Sequence, residues 1–90
     1  MRAPTIHLNG TSGEALLDQA TSAAQALREA LEAMGRAAPN ARDYYVQGPE
    51  AFPLADDAHD ARCAAVRALI AEYEELAEAL ADALDERRGR

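Results

Sequence analysis

AVRALIAEYEELAEALADAL, residues 65–84, is the stretch whose spacing decides the fold. Val66, Leu69, Tyr73, Leu76, Leu80 and Ala83 recur at alternating steps of three and four, the seam of a helix that packs along another helix. Cys63, Ile70, Ala77 and Leu84 form a flanking column at seven-residue intervals, and Arg87 and Arg88 complement the negative end of the helix dipole. Towards the N-terminus the periodicity runs back to Asp56 and Asp57, acids suited to the positive end of the dipole. Pro49 or Pro53 fits a first turn, where no hydrogen bond is lost. The spacing predicts a second helix over 54–88.

The preceding residues, 37–53, break the helical pattern with Pro39, Gly48, Pro49 and Pro53. They are long for a helix–helix connection, and long ordered loops are often functional. Before them a first helix is expected over 11–36, ended by Gly35 and Pro39. Leu16, Ala20, Ala23, Leu27, Ala30 and Met34 form one seam, with Leu17, Ala24 and Leu31 beside it. Thr11-Ser12-Gly13-Glu14 reads as a capping box with Thr11 as the cap. Residues 1–10 form an arm in which Ile6 and Leu8 alternate with His7 and Asn9 as in a brief strand, before the turn signal Asn9-Gly10. The expected fold is all-α: an antiparallel two-helix hairpin in a single domain over 1–90, with an extended arm and a long ordered loop.

A hairpin of this size buries little. The chain has one Phe, no Trp and one Cys, and roughly a quarter of it is alanine, which favours helix but covers little area. Small cores usually need a disulfide, a metal or a partner chain, and Cys63 has no second cysteine to pair with. The apolar faces are wider than a two-helix seam requires, so a homo-oligomeric helical bundle is expected. The net charge of −7, with every basic residue an arginine, opposes direct nucleic-acid binding and attraction to an anionic membrane. No stretch reads as a signal peptide or a membrane span, and a lone cysteine fits the cytosol.

Three of the four aromatic residues lie in or beside the loop: Tyr44, Tyr45 and Phe52. Around them stand Asn40, Arg42, Asp43 and Gln47. Together these offer flat stacking faces, a planar cation, a carboxylate and an amide, a set that suits a small nucleotide-like ligand. The competing reading has the rings plugging the end of the hairpin while Arg42 and Asp43 form a surface ion pair. His59 and Arg62 extend the second helix's seam into polar residues near this loop, as a pocket wall or as an end exposed to solvent. His7 and Asn9 lie at the other end of one hairpin, where an antiparallel neighbour would bring them beside the loop. His59 and Cys63, four residues apart, are too few for a metal site, and no cofactor motif is present. Hydrolysis with His7 or His59 as base is the weaker chemistry; a non-enzymatic protein is expected.

The segments IHLNGTS (6–12) and APNARDYYVQGPEAF (38–52) resemble small accessory proteins encoded by tailed phages and prophages of high-GC bacteria. The likeness spans nearly the whole chain. It departs at Val46, where that group often has Pro, and at Pro53 in an early turn of the second helix. The resemblance implies a phage anti-defence setting in the host cytosol. Two strategies fit it. One is sequestration of a nucleotide-derived immune signal, such as an ADP-ribose derivative or cyclic nucleotide, in pockets of the oligomer. The other is direct inhibition of a host defence protein by an acidic helical surface that includes Glu72, Glu75, Asp82 and Glu86. A purely structural phage role is the third possibility. The residues favour sequestration: Arg42 and Arg62 for phosphate, Tyr44 and Tyr45 for stacking, Asp43, Gln47 and Asn9 for polar edges, with His7 and His59 beside them.

Overall fold

The computed structural model describes residues 1–89 as two antiparallel helices joined by a tightly turned loop. Helix α1 spans Gly13–Arg36 and helix α2 spans Ala51–Arg87. At 1.5 Å per residue α2 is about 55 Å long, against about 36 Å for α1. The connection therefore lies alongside the first turns of α2 rather than beyond both helices. The ion pairs Glu14–Arg88 (3.3 Å) and Arg28–Glu74 hold the antiparallel register on the exposed edge.

The helix boundaries follow from the caps. Ser12, not Thr11, caps α1: its hydroxyl accepts from the Ala15 N–H at 3.1 Å. The expected capping box is not made, because Glu14 turns across the hairpin to Arg88 instead of reaching back along its own helix. At the other end α1 stops after Arg36 with Ala37 as the cap, and Gly35 stays within the helix without a positive φ. Helix α2 begins at Ala51, three residues earlier than the spacing indicated. Pro53 is accommodated there because the N–H groups of a helix's first turn have no intrahelical acceptor.

Which column of α2 faces α1 corrects the sequence reading. The buried residues of α2 are His59, Cys63, Ile70, Leu80 and Leu84, mostly the flanking column. In the seam proper only Leu80 is fully covered, while Leu69 and Tyr73 remain 44% and 37% exposed. Across the interface α1 contributes Ala20 and Ala24, so small side chains let the helices approach closely but remove little area from water.

The arm forms no strand; among the described residues there is none. A four-residue alternation carries no pairing partner, and the chain instead folds back through a turn in which the Gly10 N–H donates to the His7 carbonyl (3.2 Å). The Arg87 guanidinium donates to the Ile6 carbonyl at 3.2 Å, fastening the arm to the end of α2. Gly13 makes this possible: a Cβ there would lie 2.5 Å from Leu84 Cδ2 and 2.8 Å from Ile6 Cδ1. Met1 reaches the side of α2 near Leu69, Tyr73 and Leu76. The molecule measures 63 × 22 × 19 Å with a radius of gyration of 19.3 Å, where a compact domain of this length would have about 12 Å.

Candidate functional site

The loop is a chain of local hydrogen bonds. The Asn40 side chain accepts from the Arg42 N–H at 3.1 Å and starts a 3-10 turn over Ala41–Asp43. A second 3-10 turn over Tyr45–Gln47 follows, tied by the Gln47 N–H donating to the Tyr44 carbonyl at 2.9 Å. Gly48 then takes φ +121°, a backbone state open to glycine and strained for other residues, and hands the chain to α2. Asn40, read from the sequence as a ligand candidate, is thus occupied in shaping the loop.

The two adjacent tyrosines part company. Tyr44 turns inward against Phe52, with ring centroids 6.4 Å apart and tilted by 51°, a favourable aromatic contact. Tyr45 points out and is 73% exposed, and Val46 beside it is 76% exposed. Of the three loop aromatics, only Tyr44 and Phe52 pack on each other. Arg42, Asp43 and Gln47 are also exposed, and among the described residues none of their side chains takes a hydrogen bond or ion pair. The expected surface pair between Arg42 and Asp43 is not formed.

His59 and Arg62 separate on α2. His59 is buried, with its Nε2 3.5 Å from the Sγ of Cys63, so the imidazole finds its partner one turn along its own helix. It is neither a pocket wall open to a ligand nor an end exposed to solvent. Arg62 stays exposed and unpaired among the described residues. His59 continues the column of Cys63 and Ile70 into the first turns of α2, which lie alongside the connection and beyond the end of α1, and its contact with the Cys63 thiol gives the imidazole a partner there. No three His, Cys, Asp or Glu side chains among the described residues converge as a metal would require, and no helix is long and apolar enough to cross a membrane.

His7 and Asn9 sit at the far end of the molecule. The His7 ring lies over Gly10, where a Cβ would come within 2.8 Å of its Nε2, and Asn9 is exposed in the turn. Here an open cleft of about 420 Å³ is bordered by His7, Ser12, Glu14, Arg87 and Arg88. Sequence reasoning missed Arg87 and Arg88 as cleft residues, because their position at a helix C-terminus already explained them. In one chain the nine candidates fall into two groups: Arg42, Asp43, Tyr44, Tyr45, Gln47, His59 and Arg62 at the loop end, His7 and Asn9 at the arm end. Comparison with family models, with curated proteins and with solved structures found no match.

Proposed function

We propose that this chain is a non-enzymatic binding protein whose loop holds a planar, anionic, nucleotide-like ligand. The observation that carries the reading is the outward set Arg42, Asp43, Tyr45 and Gln47, displayed without internal partners on hydrogen-bonded turns. The exposed Tyr45 ring and the hydrated Arg42 guanidinium, unpaired among the described residues, contribute no contact within the fold. A stacked base and a bidentate phosphate give both a role. Arg62 supplies a second cation on α2, and Tyr44 supports the loop from behind. In a homo-oligomer the arm end of a neighbour, with His7 and Asn9, completes the pocket. In the setting implied by the phage-protein resemblance, the ligand is a nucleotide-derived defence signal, retained and not turned over.

Titration calorimetry against ADP-ribose, a cyclic dinucleotide and ATP tests this directly. Tyr45→Ala removes the stacking on one base and weakens binding by about 1–3 kcal/mol, roughly five- to 150-fold. Arg42→Ala has a similar effect, from the loss of a charge-assisted bond. Unchanged affinity in both variants, or no binding to any of the three compounds, overturns the proposal. One observation favours a second reading. Glu72, Glu75, Asp82 and Glu86 are all exposed along α2, and a direct inhibitor would use them. Charge reversal there, and not at the loop, would then abolish biological activity.

A further inference from the structure

We infer that the open seam of α2 docks against the same seam of a second copy, antiparallel, about a two-fold axis level with Ala71. Within reach of α1 the flanking residues Ile70 and Leu84 are buried, yet in the seam proper Leu69 and Tyr73 stay exposed and Val66 and Leu76 are only half-buried. Its spacing of three, four and three suits another helix, whose side chains would enter the gaps between these residues. A loop or an extended peptide lacks that repeat. Met1 borders an open pocket with Leu69, Tyr73 and Leu76 and is itself 60% exposed, so the arm covers this window only loosely.

Area and charge point to a second copy as the occupant. The chain exposes 6467 Å², while a compact protein of 9.6 kDa exposes about 5,100 Å². The surplus, spread over the whole elongated hairpin, exceeds the roughly 800 Å² per partner that a standard interface buries. Orientation follows from the charges. From Glu72 to its cap Arg88, the end of α2 carries seven carboxylates and two guanidinium groups; from Ala51 to Arg67 the helix carries three and two. A parallel pair would set the acidic halves side by side and Arg62 against Arg62. The antiparallel pair places Leu69 against Tyr73, Val66 against Leu76, and Arg62 near Leu80, between Glu78 and Asp82 of the second copy. The contact is self-complementary, as a two-fold interface must be.

This interface stands without the ligand reading, although it also deepens it. Reversing one α2 on the other carries the loop end of each copy towards the arm end of its neighbour, so that Arg42 and Tyr45 approach the cleft of His7 and Arg87. Sedimentation equilibrium and native mass spectrometry at micromolar chain test the association. Wild type is expected as a dimer or a multiple of two. Leu69→Glu and Tyr73→Glu are expected as monomers that keep their helical circular dichroism, while Val46→Glu remains dimeric. For orientation, on a Cys63→Ala background, Val66→Cys mixed with Leu76→Cys forms a disulfide-linked pair under mild oxidation and neither does so alone. A monomeric wild type, meaning that the arm or another protein covers the seam, overturns the inference. So does a dimer indifferent to both glutamates, or self-linking by Val66→Cys alone. A seam-dependent dimer that binds no nucleotide leaves the inference standing and removes the proposed function; a monomer that binds one does the reverse.

Discussion

Gly48 and Gly13 are the two positions where a single Cβ tests the fold. Gly48 holds φ +121° between the second 3-10 turn and α2, and a Cβ there would also meet the Glu50 carboxylate at 3.1 Å. Gly48→Ala is expected to cost about 1–3 kcal/mol in urea unfolding, the usual range for a side chain held in a sparsely populated backbone state. Wild-type stability would show that the junction can rearrange without cost. Gly13 is needed for space instead, since Leu84 and Ile6 close over it. Gly13→Val overpacks this contact and is expected to destabilise by about 1–3 kcal/mol. Amide exchange should then rise in residues 6–10 as the arm loosens, and unchanged protection there would count against the arm being packed through Gly13. The paired tyrosines divide in the same way. Tyr44→Ala loses its contact with Phe52 and lowers stability, whereas Tyr45→Ala, with its ring in solvent, leaves stability within about 0.5 kcal/mol of wild type.

At the scale of the element, Leu80 and Leu69 share one seam of α2 but differ in burial. Leu80 is 2% exposed, so Leu80→Ala is expected to cost about 2–5 kcal/mol, measured by chemical denaturation. In the isolated hairpin Leu69→Ala should cost much less, and equal losses would mean that a partner covers Leu69. This contrast marks the limit of what the sequence made legible. Two long helices, the break at Pro39 and the loop's aromatic cluster were all readable, because periodicity and proline act locally. The choice between two apolar columns on α2 was not, since both are apolar at helical spacing and only what packs against them selects one. The same holds for the cap, where Thr11 and Ser12 offer the same hydroxyl and the arm's path decides. His59 looked like a surface or ligand residue because it is polar; its column, shared with Cys63 and Ile70, was the better guide. In the loop the residue types were legible, but the opposite directions of Tyr44 and Tyr45 depend on turns set by the Asn40 cap and by Gly48.

For the whole molecule, shape governs stability. A hairpin 63 Å long and about 20 Å wide has much surface for its volume, and its core of Ala20, Ala24, Cys63, Ile70, Leu80 and Leu84 is one layer thick. Most helical stability in proteins comes from packing and not from intrinsic propensity, so α2 beyond this layer depends on whatever else covers its seam. If a second copy does so, folding and association are linked, and the melting temperature must depend on chain concentration. A hundredfold rise in concentration adds up to about 2.7 kcal/mol per dimer, about 1.4 kcal/mol per chain, to the folded state, and each kcal/mol per chain shifts the midpoint of a domain of this size by roughly 4–8 °C. Thermal melts followed by circular dichroism from about one to a hundred micromolar should therefore move upward by several degrees. Leu69→Glu should melt at the same, lower temperature throughout. A wild-type midpoint independent of concentration would require the hairpin to be stable alone, and the thin core would then have to suffice without its seam being covered.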